Sequence, residues 1–183
     1  MIFEPLPLAG AFLVRPEPVE DARGFFARLY CHETFAANGL DPALDQVSVS
    51  FNARAGTLRG LHLQRPPQAE TKLVRVTAGA IWDVIVDVRA GSPTFGRWEA
   101  VELSAANRAQ LYIPAGFAHG FQSLTDGAEV LYHISVPYRP ELQAGVRWDD
   151  PDLAIPWPDP AAAILSDRDR ALPPFSAFEP VPC

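Results

Sequence analysis

The sequence predicts an all-β protein, an antiparallel jelly-roll barrel with few short helices. Short runs rich in β-branched or alternating residues recur at regular spacing with turn residues between them, a pattern typical of β-sandwiches and barrels. The chain also has 19 prolines and 12 glycines in 183 residues. Because both residues interrupt helices, this frequency leaves room only for short ones.

The predicted strands occupy the middle of the chain. The strand predicted over 72–76 alternates apolar and polar residues, and Ala78-Gly79 forms the turn after it. The next predicted strand, 80–88, is rich in valine and isoleucine. The expected strand ranges are 72–76, 80–88, 98–103, 110–113 and 128–136. Two short helices are expected, one over residues 33–38 before Gly39 and one after Ser166.

The composition changes at Pro151, since eight of the last 33 residues are proline. We expect this segment to wrap the barrel as irregular chain with a turn of helix. A length of 183 residues suits one domain with a substantial core, so residues 1–183 are read as a single domain.

Charge and targeting features restrict the class of protein. A net charge of −7 disfavours binding to nucleic acid or to a membrane surface, because no basic excess is available to neutralise phosphates. No apolar run approaches the roughly 20 residues of a membrane span. The first residues lack the features of a signal peptide, and Cys31 and Cys183 have neither zinc-site nor disulfide-framework spacing. The expected location is the cytoplasm, with both thiols free.

Lysine usage singles out one position. The chain has 15 basic side chains, and Lys72 is its only lysine. An ammonium is a compact point charge that suits a catalytic pocket in ways that a guanidinium does not. Lys72 follows His62 by ten residues within the most motif-like stretch of the chain.

Other chemistry-bearing residues cluster in short motifs. Arg59-Gly-Leu-His62 stands between two predicted strands, and Pro114-Ala-Gly leads His119 into another. Tyr132 lies within the 128–136 strand, and Asp169 adds a carboxylate that can orient a histidine.

These motifs together resemble the dTDP-4-dehydrorhamnose 3,5-epimerases. The similarity runs in order from about residue 10 to residue 170. The matching motifs are Arg23-Gly-Phe-Phe26, Leu58-Arg-Gly-Leu-His62, Lys72-Leu-Val-Arg75, Asp83-Val-Ile-Val-Asp87, Ser92-Pro-Thr-Phe-Gly96, Leu103-Ser104, Pro114-Ala-Gly-Phe-Ala-His-Gly-Phe121, Leu131-Tyr132 and Leu165-Ser-Asp-Arg-Asp169. The resemblance implies a cupin-type jelly roll, a homodimer, no metal or organic cofactor, and a nucleotide-linked 4-keto-6-deoxyhexose as substrate.

The resemblance also implies roles in inverting C3 and C5, the carbons beside the ketone. Inversion needs a base on one face, an acid on the other and a group that stabilises the enolate oxygen. His62 would be the base, Asp169 its orienting partner and Tyr132 the acid. Lys72 would stand beside the C4 oxygen.

Substrate binding is implied for a second set of residues. Arg23 and Arg59 would grip the diphosphate, for which guanidinium forks are well suited. The remaining implied binding residues are Phe26, Arg28, His119 and Gln143. Two of these depart from the family pattern, since Arg28 and Gln143 each replace an acidic residue at the nucleotide end of the site. The proton-transfer residues are therefore better matched than those that select the nucleobase.

Several alternatives stay open. The chain could invert one carbon only, or use a GDP- or CDP-linked sugar. A metal-dependent cupin is disfavoured because the position two after His62 is Gln64, which leaves His119 as the only other site histidine. A non-catalytic sugar-binding cupin would not need His62, Lys72, Tyr132 and Asp169 together.

Three further residues are given no part in the reaction. His133 neighbours Tyr132 on a strand, so it should face the opposite side of the sheet. Asp83 and Asp87 should share one face and act as structural hydrogen-bond acceptors.

Overall fold

The computed structural model describes residues 1–182 and has the predicted all-β architecture. The strands are β1 (Ile2–Pro5), β2 (Phe12–Arg15), β3 (Val19–Asp21), β4 (Gly24–Phe26), β5 (Gln46–Asn52), β6 (Leu58–Gln64), β7 (Lys72–Ala78), β8 (Ala80–Asp87), β9 (Trp98–Ser104), β10 (Gln110–Ile113), β11 (Phe117–Ser123), β12 (Ala128–Ile134) and β13 (Gln143–Gly145). The helices are α1 (His32–Ala37) and α2 (Asp167–Arg170), and 3-10 turns occur at Pro140–Leu142 and Phe175–Ala177.

The strands form two main antiparallel sheets and a separate hairpin. One sheet has six strands in the order β1-β2-β10-β7-β12-β5, and the other has five in the order β13-β6-β11-β8-β9. Strands β3 and β4 pair only with each other. The antiparallel jelly-roll prediction is confirmed, with β12 ending at Ile134, two residues before the expected end.

The core lies between the two main sheets. Val74 and Leu111 from the six-stranded sheet belong to the same buried cluster as Ile85 and Phe121 from the five-stranded sheet. Strand alternation explains this, because residues two apart face the same side. At one end of this interior, polar side chains replace the apolar ones.

The outer faces of the sheets are covered differently. Residues after 150 lie against the five-stranded sheet, where Leu153, Trp157 and Val181 pack with Val84 and other apolar residues of that sheet. Helix α1 covers only part of the six-stranded sheet, through Phe35. Within the described residues, neither helix is long and apolar enough to cross a membrane.

Candidate active site

Two histidines face each other across neighbouring strands of the five-stranded sheet. His62 on β6 is the register partner of His119 on β11. The register then shifts before Phe121 pairs with Arg59. The two backbones approach closely here, because a Cβ on Gly120 would lie 2.7 Å from the carbonyl oxygen of Arg59. Glycine is therefore required where the strands bring both imidazoles to the same end of the barrel.

Asp169 is hydrogen-bonded to His62. Its Oδ1 lies 2.7 Å from His62 Nε2, and helix α2 carries it with Ser166 as the N-cap that accepts from the Asp169 backbone N–H. Burial alone raises the pKa of this carboxyl, but the hydrogen bond from His62, the charge that His62 carries when protonated, and hydrogen bonds with the Gly60 backbone and Ser166 together outweigh burial and hold the pKa below its usual range. A carboxylate only accepts, so Nε2 donates and Nδ1 of a neutral His62 keeps a lone pair for a proton.

His119 has a carboxylate partner of its own. Its Nε2 lies 2.6 Å from Oδ1 of Asp83, whose side chain is fully buried on β8. The second oxygen of Asp83 has no hydrogen-bond partner among the described residues. Two histidine–aspartate pairs therefore lie at this end of the barrel, one with its imidazole 29% exposed and one buried.

Tyr132 and Lys72 come from the opposite sheet. Tyr132 on β12 pairs with Val74, and Lys72 at the start of β7 pairs with Ile134, so the two are diagonal neighbours on the interior face. Burial raises the pKa of Tyr132, the charge of Asp83 raises it further, and Arg59 opposes both. The phenol therefore keeps its proton at neutral pH and can donate it.

These side chains surround one cavity of about 340 Å³. It lies between the sheets, with imidazoles on one wall and Tyr132 and Lys72 on the other. The residues lining it are Ser48, Arg59, His62, Glu70, Lys72, His119, Phe121, Tyr132, Ile134, Tyr138, Gln143, Ser166, Arg168 and Asp169. Such an arrangement can hold a small polar molecule with a proton acceptor and a proton donor on opposite sides.

Comparisons with known proteins identify the family of this fold and pocket. The family model for dTDP-4-dehydrorhamnose 3,5-epimerase matches residues 5–177. The chain belongs to the dTDP-4-dehydrorhamnose 3,5-epimerase family. It is 45% identical over 173 residues to the Sinorhizobium fredii enzyme of that name, covering 94% of this chain and 89% of that one. This protein is therefore an epimerase.

Solved structures agree with this assignment. The Bacillus anthracis dTDP-4-dehydrorhamnose 3,5-epimerase, crystallised with TDP and PPi, superposes with a TM-score of 0.91 at 44% identity, covering 94% of this chain and 98% of that one. ChmJ, a 3′-monoepimerase from Streptomyces bikiniensis solved with dTDP-quinovose, superposes with a TM-score of 0.87 at 41% identity, covering 94% and 87%. Relatives of similar likeness thus differ in their named reaction.

The epimerase pocket contains seven of the ten residues that the sequence singled out. His62, Lys72, Tyr132, Asp169, Arg59, His119 and Gln143 all line it. Arg59 is held by Asn52, whose Oδ1 accepts from Nε at 2.9 Å, and Gln143 accepts a hydrogen bond from Arg168 at the rim.

The other three lie outside this cavity. Arg23 and Phe26 belong to the β3–β4 hairpin, where Arg23 pairs with Asp21 and Phe26 is 76% exposed. Arg28 follows the hairpin and is exposed. A single chain of this epimerase does not bring these residues to its own pocket.

Sequence reasoning missed two carboxylates of the pocket region. Its sequence position predicts only a structural acceptor at Asp83, and the structure shows that this acceptor is the partner of His119 in the pocket wall. Glu70 belongs to none of the motifs that the sequence offers, and its Oε1 lies 2.9 Å from Lys72 Nζ. His133 lies outside the cavity, beside Leu73 and Tyr112, as strand alternation predicts. Among residues 1–182, no three or more His, Cys, Asp or Glu side chains are arranged to hold a metal ion.

Proposed function

We propose that this epimerase converts dTDP-4-dehydro-6-deoxyglucose to dTDP-4-dehydrorhamnose by inverting C3 and C5, without a metal or organic cofactor. The observation that carries the proposal is the placement of His62 and Tyr132 on opposite walls of one cavity, with Lys72 beside Tyr132. Inversion at a carbon next to a ketone needs those three functions in that arrangement.

In the proposed mechanism His62 is the base. Nδ1 of the neutral imidazole takes the proton from the carbon, the C–H electron pair forms a C=C bond to C4, and the π electrons of the C4 carbonyl move onto its oxygen to give the enolate. The Lys72 ammonium stabilises that oxygen. Tyr132 then delivers a proton to the same carbon from the other face as the C4 carbonyl re-forms. Before the second carbon reacts, the His62 imidazolium releases its proton to water and the Tyr132 phenolate takes one from water. Asp169 keeps His62 in one tautomer throughout.

Arg59 is the proposed ligand of the diphosphate. Its Nε is engaged by Asn52 and one terminal nitrogen lies 3.3 Å from the Phe51 carbonyl oxygen, which fixes the guanidinium at the cavity. A fixed fork is well suited to bidentate phosphate binding. Gln143 and His119 are the proposed contacts to the nucleotide and to the sugar, respectively.

The proposed assembly is a homodimer formed through the outer face of the six-stranded sheet. Val47, Val49 and Phe51 on the edge strand β5 are each about 60% exposed there. On the same face, Nε of Arg75 and Nδ1 of His133 are buried and have no hydrogen-bond partner within residues 1–182. Apolar exposure together with unpaired polar atoms is expected of a surface that a second subunit covers.

The dimer also accounts for the hairpin residues. Arg23, Phe26 and Arg28 are implied in substrate binding but lie outside their own cavity, so we propose that they reach the cavity of the second copy. The proposed location is the cytoplasm, which agrees with the free thiol of Cys31.

Isotope exchange tests the reaction. Incubating the enzyme with dTDP-4-keto-6-deoxyglucose in heavy water should place deuterium at both C3 and C5, read by NMR and mass spectrometry. Absence of exchange at both carbons contradicts the proposal. Parallel incubations with GDP- and CDP-linked keto sugars are the controls for nucleotide selection. Faster exchange with either would show that the enzyme prefers guanine or cytosine to the proposed thymine.

A 3-epimerase is the second candidate, favoured by the 41% identity to the monoepimerase ChmJ. Deuterium at C3 alone in the same experiment would establish it.

Chelation tests the proposed metal independence. After exhaustive dialysis against EDTA and then metal-free buffer, we expect unchanged kcat and KM, because the described residues include no cluster of metal ligands. Activity that is lost and then restored by one divalent cation would contradict this part of the proposal.

A further inference from the structure

Lys72 does not stand alone in the cavity. Its Nζ lies 2.9 Å from Oε1 of Glu70, and the two side chains are only 10% and 11% exposed. Both residues line the cavity with His62 and Tyr132. Glu70 lies just before β7, in the loop that follows β6, so it approaches Lys72 from the chain entering the same strand.

An enclosed ion pair needs a reason beyond stability. Removing two charges from water costs several kcal/mol for each ion, and their attraction offsets that cost only with good geometry. A leucine and a methionine could fill the same space without that cost. The pair is thus explained better by what it does to the ammonium than by what it adds to folding.

The geometry of a lysine indicates the effect. Four rotatable bonds carry the ammonium, so the side chain loses rotamer entropy when its head group is fixed. Lys72 is flanked on its neighbouring strands by Ile113 and Ile134, which offer no hydrogen-bond acceptor from their side chains. Glu70 is the charged side chain that lies 2.9 Å from the ammonium, and an ammonium that directs one of its three N–H donors to Glu70 has two others to offer a substrate.

We propose that Glu70 is a positioning residue that holds the Lys72 ammonium in the direction of the substrate's C4 oxygen. The inference rests on the proposed function for the identity of that oxygen. Placement matters because a displacement of about 1 Å at a reacting centre can cost on the order of 10²-fold in rate. Glu70 acts through Lys72 and is not assigned a contact with the sugar.

Two substitutions of Glu70 distinguish the effect of its hydrogen-bond acceptor from the effects of its negative charge and its volume. Glu70→Gln keeps an oxygen that accepts from the ammonium, so we expect kcat within about threefold of wild type. Glu70→Leu keeps a similar volume without an acceptor, and we expect kcat to fall at least about tenfold with KM within about twofold, since the ammonium loses its direction. Glu102→Ala removes an exposed glutamate from β9 and is the matched control.

Because Lys72 is the only lysine, its ammonium can also be observed without turnover. Labelling with [ε-¹⁵N]lysine gives a single NH₃⁺ signal, and its relaxation reports how firmly the group is held. We expect a rigid signal in wild type and Glu70→Gln, and a mobile one in Glu70→Leu. Thermal unfolding and dTDP binding, measured on every variant, verify that each is folded.

The outcomes distinguish the two proposals. Wild type that exchanges neither C3 nor C5 refutes the proposed function, whereas the NMR signal still tests whether Glu70 holds Lys72. Wild-type kcat in Glu70→Leu overturns the positioning role, and so does an equally rigid ammonium in that variant. A rise in KM without a fall in kcat would assign Glu70 to substrate binding instead.

Discussion

His62 and Tyr132 are held by different sheets, so the distance between the proposed base and the proposed acid depends on the packing of the barrel. His62 sits on β6 opposite His119, while Tyr132 is on β12 beside Val74. The apolar side chains below them, including Ile85 and Phe121, set the spacing of the two walls. The proposed two-sided proton transfer depends on this layered architecture, because neither sheet alone can present groups to both faces of a sugar.

The substitution Tyr132→Phe tests this division of labour. We expect His62 still to remove and return the proton on its own face, so deuterium should enter the substrate without inversion. Formation of the epimer should fall by roughly 10²-fold or more, a typical contribution of a general acid.

NMR of the recovered nucleotide sugar checks both quantities in one reaction. His62→Ala is the matched control, and it should lose exchange and inversion together. Inversion at the wild-type rate in Tyr132→Phe would remove the acid role from this residue.

Sequence reasoning selects residues by type and motif, which explains both what it found and what it missed. Lys72 is conspicuous as the only lysine, and His62 lies in a specific motif. Glu70 and Asp83 carry no such signal, because their importance comes from which side chain each one meets. The loop before β7 and the alignment of β8 with β11 determine those partners.

At the scale of elements, the strands predicted best are those with strong alternation and clear turns. Strand β7 begins at Lys72 and β8 at Ala80, as predicted. The β3–β4 hairpin lacked such a signal, since its strands have three residues each and every one is exposed. Hydrophobic periodicity in a sequence reflects the burial of one face of an element. An element that buries neither face within its own chain therefore shows no such periodicity.

The turn after β8 is organised by one buried carboxylate. Asp87 accepts hydrogen bonds from Arg89, Ser92 and Thr94 at 2.6–3.0 Å and is fully buried. Burial by itself raises the pKa of Asp87, but these bonds outweigh burial and lower it to about 2. A lowered pKa means that the ionised form stabilises the folded state above the ordinary pKa, and that this contribution is lost as the pH falls toward 2.

We therefore expect Asp87→Asn to lower the free energy of unfolding by roughly 2 kcal/mol at pH 7, the equivalent of the pKa shift. The difference between wild type and variant should shrink as the pH falls from about 4 to about 2. Urea unfolding over that pH range measures it. Asp149→Asn is the control, because Asp149 pairs with Arg147 at a largely exposed site and should change stability little. A pH-independent difference would contradict the account of the turn.

At the scale of the whole molecule, the cavity and the hairpin belong to different parts of one surface. The cavity holds the proposed chemistry, while Arg23 projects from the hairpin with 89% of its side chain exposed. In the proposed dimer the hairpin of each copy reaches the cavity of the other, because a twofold axis makes the two contacts equivalent. Each complete site would then combine His62 of one copy with Arg23 of the other.

Complementation between two inactive variants tests this sharing of sites. We expect His62→Ala to abolish turnover and Arg23→Ala to weaken it severely. In a heterodimer of the two, one site has both residues intact and the other has neither. If subunits exchange at random, half of the dimers are mixed and each has one good site, so activity should return to about a quarter of wild type.

The same mixture distinguishes sharing from its alternative. If Arg23 served the cavity of its own chain, every site in the mixed population would lack one of the two residues, and no activity would return. Subunits are mixed after mild denaturation and refolding, and differently tagged copies confirm by tandem purification that heterodimers form. His62→Ala mixed with Lys72→Ala is the matched control, because both residues line the same cavity and should not complement each other. Recovery in the first mixture but not in the second would place the hairpin at the partner's site. Mixing two variants can restore a site only when the two substituted residues come to that site from different chains.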